Sequence, residues 1–246
     1  MARPMPRASC GSATGVSVTT ERFAPTRRQL MQLYEGMLAA YGEQSWWPAD
    51  SPFEIAVGAV LTQNTNWSNV ERAIGNLKVA GVLSLQGLLA LPPAKLAELI
   101  RPSGYYNIKA ERLRQLCLYL DQSGGLDALR EQPLQASRDG LLGVKGVGPE
   151  TADDILLYAL DRPVFVIDTY TRRLLQRHAL AGGEESYEEL RHGFEAVLLP
   201  DPVLFRQYHA LIVQHAKQAC RKQPACHGCC LQSRCPASGV DPAHVG

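Results

Sequence analysis

No stretch of this chain is apolar for the roughly 18 to 20 residues that a bilayer-spanning helix needs. The start of the chain also lacks the apolar core of a secretory signal, so the expected compartment is the cytoplasm. Its first 20 residues contain no acid and faintly resemble an organelle transit peptide, but residues 1–25, with Gly, Ser, Thr and Pro and no sustained period, read as a flexible leader. A dominant charge is missing too: 25 basic against 24 acidic side chains leave a net charge of +1. A near-zero total excludes bulk attraction to a polyanion but not a local basic face. The segment 204–235 has that asymmetry, with Arg206, Lys217, Arg221, Lys222 and Arg234 and no acid. Internal repeats and paired alternating strands are absent as well. Pro163–Ile167, the one stretch that imitates a strand, reads as a buried extended connector, so the expected fold class is all-α.

What is present is a series of helical stripes in 246 residues, 46% of them hydrophobic, enough for one large or two small cores. Thr26 caps a helix carrying Leu30, Tyr34, Met37, Leu38 and Tyr41, ended by Gly42. Trp46, Trp47 and Pro48 follow in a turn. The run Phe53–Leu61 is apolar almost all round, as a central helix should be, and it ends in the polar cluster Thr62-Gln63-Asn64-Thr65-Asn66 before Trp67. That cluster reads either as a capped turn, with Asn66 starting the next helix, or as short side chains able to enter a duplex. The turn Gly104-Tyr105-Tyr106-Asn107-Ile108-Lys109-Ala110 opens a helix whose polar face carries Lys109, Arg112 and Arg114. Ser137 is expected to cap a short helix, and Ser186 with Glu189 to form a capping box.

That short helix leads into Leu142-Gly143-Val144-Lys145-Gly146-Val147-Gly148-Pro149-Glu150-Thr151-Ala152. Three glycines within six positions, followed by proline at the first helical position, make a tight hairpin between two helices. Backbone amides in such a turn point outward together and hold a phosphate, which indicates DNA.

Five of the seven cysteines crowd the end as Cys220, Cys226, Cys229, Cys230 and Cys235, giving C-x5-C-x2-C-x5-C with Cys230 left over. Disulfides do not suit a chain without a secretion signal. Four thiolates hold either a tetrahedral zinc ion or a [4Fe-4S] cluster; bare spacing favours zinc, whereas Pro236 after Cys235 is a feature of cluster ligands.

Taken together, the glycine hairpin, Val166-Ile167-Asp168-Thr169-Tyr170, the Gly104–Ala110 turn and the terminal cysteines resemble the endonuclease III branch of the helix-hairpin-helix DNA glycosylases over residues 30–236. The resemblance implies a six-helix barrel over 51–162, a cluster domain from 26–50 and 163–236, a tail at 237–246, and an active site in the cleft between the domains. It implies a [4Fe-4S] cluster on Cys220, Cys226, Cys229 and Cys235, although the first spacing is one residue shorter than the common pattern. Cys230 would be a spectator, or an alternative ligand beside Cys229. The implied partner is double-stranded DNA with damaged bases, bound by a monomer at the nucleoid. Its backbone would be gripped by Val144, Lys145, Gly146, Val147, Gly148, Lys109, Arg221 and Lys222, with Gln63 and Asn64 entering the duplex.

In this frame Asp168 is the catalytic carboxylate, stabilising the cationic sugar and orienting water. Lyase members carry a lysine two residues after the last hairpin glycine; here Glu150 stands there, and a carboxylate forms no Schiff base. The expected enzyme is a monofunctional glycosylase that hydrolyses the N-glycosyl bond with water. Trp46, Trp47, Pro48 and Trp67 resemble the base pocket of the 3-methyladenine glycosylase III branch, which implies alkylated purines. The alternatives are an endonuclease III-type glycosylase and lyase for oxidised pyrimidines, and a non-catalytic DNA-binding iron–sulfur protein.

Overall fold

The computed structural model describes residues 23–239; the expected leader and tail lie outside them except for 23–25 and 237–239. Twelve helices account for the described architecture, with no strand among these residues, so the all-α expectation holds. No described helix is long and apolar enough to cross a membrane.

Local signals set most boundaries. Helix α1, Arg27–Tyr41, begins with a capping box between Thr26 and Gln29 and ends at Gly42. Helix α2, Pro52–Leu61, is capped by Ser51, and α3, Trp67–Val79, by Asn66. Two short helices, α4 (Leu85–Ala90) and α5 (Pro93–Leu99), lead to the long α6, Tyr106–Gln122. Then come α7 (Gly125–Glu131), α8 (Leu134–Leu142) and α9 (Pro149–Asp154), which runs on as a π-helical turn, Ile155–Ala159. Ser137 is not a cap. It lies inside α8, buried, and its hydroxyl donates to Leu129 O at 2.7 Å, tying α8 to the end of α7. The chain closes with α10 (Thr169–Arg177), α11 (Tyr187–Val197, opened by the Ser186–Glu189 box) and α12 (Pro202–Gln218).

Two hydrophobic cores form. One gathers α2 to α9, with Val57, Val60, Leu77, Leu113 and Leu156 fully buried. The other packs α1 against α10 to α12 around Phe165, whose ring stacks on Phe194 at 3.9 Å and meets Phe205 and Tyr208 edge-on. The π turn belongs to both: Ile155, Leu156 and Ala159 enter the first core, Leu157 and Tyr158 the second. A widened turn suits a helix that must present apolar groups on opposite sides within five residues. The buried extended connector Val164–Ile167 then delivers Asp168 to the start of α10.

Candidate active site and nucleic-acid interface

The hairpin between α8 and α9 is pinned from below and open above. Val144 and Val147 turn their side chains into the first core, so only their backbone can meet a phosphate, as the expectation of amide contacts requires. Lys145 and Gly148 are exposed, and Gly146 adopts φ +91°, a conformation that strains any residue with a Cβ. A Cβ on Gly146 would also lie 2.3 Å from Arg112 Cγ, so the glycine makes room for that arm.

Gln63 closes this arrangement. Its amide nitrogen donates to Gly146 O at 3.1 Å and to Thr151 Oγ1 at 2.9 Å, while its carbonyl oxygen accepts from Arg112. One side chain therefore fastens the loop after α2, helix α6 and the hairpin together. With its amide thus engaged, Gln63 is a tie between loops; the side chain standing free beside it is exposed Asn64, at φ +53°. Lys109 needs a larger correction. It is 1% exposed and donates to Leu61 O at 2.9 Å and Ser103 O at 2.7 Å, satisfying carbonyls at the ends of α2 and of the 3₁₀ turn Arg101–Ser103. Burial and then the charge of Arg112 lower its ammonium to about 8. It is internal and cannot reach DNA. On the same turn Tyr105, at φ +45°, is 69% exposed, with Ile108 exposed beside it. Sequence reasoning passed over both, although an aromatic and an isoleucine flanking a glycine turn were visible there.

Titratable groups concentrate where α9 and the π turn meet the start of α10 and α12. Asp168 caps α10: its Oδ1 accepts from the Thr171 amide at 2.7 Å, and its Oδ2 lies 3.5 Å from His209 Nε2. It is 9% exposed. Burial pushes its pKa up, but His209 and the Thr171 amide together hold it below the ordinary aspartate value. Glu150, Asp154 and Tyr158 follow one another at helical spacing, the first two on α9 and the third on the π turn. Part of Glu150 reaches solvent, yet the surrounding protein and then the charge of Asp168 raise its carboxyl to about 7, with His209 and Arg172 opposing. Asp154, 7% exposed with no partner for Oδ1, is pushed well above the ordinary aspartate value by burial, then by Glu150, Asp168 and Asp153. Asp154 and His209 were missed in the sequence. The four-residue spacing from Glu150 could have revealed Asp154, whereas nothing local marks His209.

The three tryptophans come together, but they pack on one another. The Trp46 and Trp67 centroids are 4.8 Å apart, Trp47 and Trp67 5.2 Å, and Trp47 meets Tyr158 at 5.4 Å. Pro48 is exposed at the edge. Gly58 lets Trp47 lie against α2, where a Cβ would meet the indole at 3.1 Å. Exposed Lys217 holds its ammonium 5.3 Å from the Trp46 centroid, a cation already resting on that face.

At the far end, Cys220, Cys226, Cys229 and Cys235 line one cavity. Arg177, 6% exposed, donates from Nη1 to Cys220 Sγ at 3.0 Å and to the carbonyl of Arg221 at 2.8 Å, and from Nη2 to the carbonyl of Lys222 at 3.1 Å. A buried guanidinium aimed at one thiol of four fits a group bound by thiolates. Cys230 does not line this cavity; its Sγ lies near Tyr41 Oη and His215 Nδ1, and it joins His215 and Cys229, which do line the cavity, in a donor group whose ligand atoms lie within 4.8 Å of one another. Arg221 and Lys222 are exposed on the cavity's outer rim.

The chain is similar to known proteins in sequence and in fold. The chain is 44% identical over 209 residues to a Methanocaldococcus jannaschii protein named as a DNA repair glycosylase, covering 84% of this chain and 95% of the relative. It is 30% identical over 191 residues to endonuclease III of Thermotoga maritima, covering 75% and 82%. Among solved structures, the Helicobacter pylori 3-methyladenine DNA glycosylase MagIII bound to 1,N6-ethenoadenine superposes with a TM-score of 0.66 at 32% identity, over 78% of this chain and 97% of that one. An endonuclease III–DNA complex superposes with a TM-score of 0.74 at 22% identity, over 87% and 97%, a likeness of fold. The model of the HhH-GPD superfamily matches residues 57–200, which run from the buried helix through the hairpin, Asp168 and α11, and the chain belongs to this superfamily of base excision DNA repair proteins.

Proposed function

We propose that this DNA glycosylase is monofunctional, uses water as its nucleophile and removes alkylated purines such as 3-methyladenine from double-stranded DNA. The observation that carries the reading is the pair of carboxyls in the cleft. Asp168 is held ionised at a helix N-terminus, and Glu150 stands where a lyase has its lysine. A fixed carboxylate stabilises the cationic sugar as the base departs and orients the attacking water. Glu150, a carboxyl, cannot form a covalent imine.

Substrate class follows from the aromatic box. A ring face that already attracts the Lys217 ammonium also attracts an alkylated, cationic purine, and Lys217 is exposed and able to give way. The similar MagIII is a 3-methyladenine DNA glycosylase, in accord with this choice, and has 1,N6-ethenoadenine bound. Because the three indoles fill the space between them, a flipped base must part them. Hairpin amides, Lys145, Arg221 and Lys222 would grip the backbone, with Asn64 and Tyr105 facing the duplex. Cys220, Cys226, Cys229 and Cys235 would hold a [4Fe-4S] cluster, which when bound pins the basic loop to α10 and α12 without entering base removal. The two cores support a division into 51–162 and 26–50 with 163–236, although Leu157 and Tyr158 join the second core and Val164 the first.

A base-release assay on duplexes with alkylated, oxidised or deaminated bases tests the reading. Release of alkylated purines is expected; release confined to oxidised pyrimidines overturns the substrate class. Borohydride should trap no covalent enzyme–DNA adduct. A strong adduct, lost in Lys145→Ala, would assign a lyase role to that hairpin lysine instead. Purified protein should absorb broadly in the visible, and Cys220→Ser should lose the band; a colourless, zinc-loaded protein would remove the cluster.

A further inference from the structure

We infer that His209 is the positioning residue for Asp168, a tautomer-locked imidazole that Tyr158 holds from behind and that presents a fixed N–H to the free carboxylate oxygen. This rests on the catalytic reading of Asp168 and adds the device that aims it. The geometry is a line of three side chains from three elements. Tyr158, on the π turn, has its hydroxyl 2.6 Å from His209 Nδ1; His209, on α12, has Nε2 3.5 Å from Oδ2 of Asp168 at the start of α10. Tyr158 and His209 are 6% and 5% exposed, and among the described residues His209 Nε2 has no closed hydrogen bond, the 3.5 Å contact with Asp168 included.

The proton positions follow from electrostatics. If the phenol donates to Nδ1, the imidazole proton sits on Nε2 and points at the carboxylate. The reverse tautomer would set a bare nitrogen lone pair against a negative oxygen, with no compensating donor. Asp168 Oδ1 is already occupied by the Thr171 amide, so Oδ2 is the oxygen left for the reacting centre, and His209 is the group that orients it. A contact of 3.5 Å is long for a hydrogen bond, and such contacts tighten once substrate excludes water. Tyr158 also forms the inner wall of the aromatic box through Trp47, so one side chain borders both the base pocket and the relay.

The charges around Asp168 make this contact consequential. Glu150 and Asp154 on α9 act against its charge, as does burial, while Arg172 on α10 favours anions nearby and Arg206 on α12 acts on Tyr158. Without His209 the opposing influences prevail, and the carboxylate holds its proton to higher pH.

The test is the pH profile of kcat/KM for base release by the full chain, on the lesion duplex that wild type cleaves fastest. His209→Leu keeps bulk but removes the N–H. It should move the acid limb upward by roughly one pH unit or more and lower the rate at pH 7 by about 10- to 100-fold. His209→Gln restores an N–H and should recover part of both. Tyr158→Phe keeps the wall against Trp47 but frees the tautomer, and should shift the limb in the same direction by less. An acid limb that stays in place in all three variants overturns the inference, even if rates fall uniformly. Asp168→Asn separates the two readings. If that variant still releases base, the catalytic reading fails; if it is inactive while the limb is unmoved by His209 substitutions, only the positioning role fails.

Discussion

Asp168→Asn should lower kcat for base release by roughly a hundred- to ten-thousand-fold while the protein stays folded, the scale of a lost charge-stabilising or acid–base group. The substitution separates chemistry from structure because asparagine caps a helix about as well as aspartate, so the bond to the Thr171 amide survives and the stability change should stay within about 1 kcal/mol. What disappears is the negative charge facing the sugar. In the wild type this carboxylate lies below the ordinary aspartate value, so activity should persist through weakly acidic pH and fall only as pH drops through that lowered pKa. Its charge-linked stability is present above the unfolded value and lost over the same descent. Base-release kinetics paired with thermal unfolding measure both halves; an active variant sinks the assignment of Asp168.

The second large effect is on stability. Arg138→Ala should destabilise the protein by about 3–5 kcal/mol, because it strands a buried carboxylate. Arg138 on α8 grips Asp153 on α9 through two bonds, 2.7 and 3.1 Å, and reaches Glu188 on α11 at 2.6 Å; Tyr187 completes the group with a 2.8 Å bond to Asp153. Asp153 is fully buried, and burial already raises its pKa against the pull of Arg138 and Tyr187. Removing the guanidinium raises it further. A carboxyl whose folded pKa exceeds its unfolded value makes stability fall as pH rises through the interval between them. The deficit of the variant relative to wild type should therefore be largest near neutral pH and shrink as the pH approaches about 4. Denaturant unfolding at both pH values checks magnitude and sign, and a deficit independent of pH would mean that Asp153 is not the stranded group. Because this cluster sets the hairpin's flanking helices against α11, a functional loss should accompany the destabilisation.

Some features were readable residue by residue. Thr26, Ser186 with Glu189, Gly42 and Pro149 act within one helical turn, so their roles depend on neighbours in the chain and appear where expected. The hairpin belongs to the same class: Gly146 needs a positive φ for local reasons. Ser137 and Lys109 show where this kind of reading stops. Both have residue types suited to the expected roles, a cap and a phosphate contact, and both are instead buried against carbonyls of other elements, Leu129 for the serine, Leu61 and Ser103 for the lysine. A stripe on a helix shows which positions share a face, but not what that face meets.

The chain's own order of residues determined the all-α class, the glycine hairpin, the aspartate opening α10, the missing lysine and the crowded cysteines, because each depends on residue type and short spacing. Tertiary structure alone decided that Gln63 fastens the loop after α2 to α6 and the hairpin, that Lys109 is internal, that Cys230 does not line the four-cysteine cavity, and that His209 faces Asp168. The physical reason is distance along the chain. Groups 41 residues apart, as Asp168 and His209 are, meet only when α10 and α12 pack around Phe165, and that meeting helps to set the charge state of Asp168.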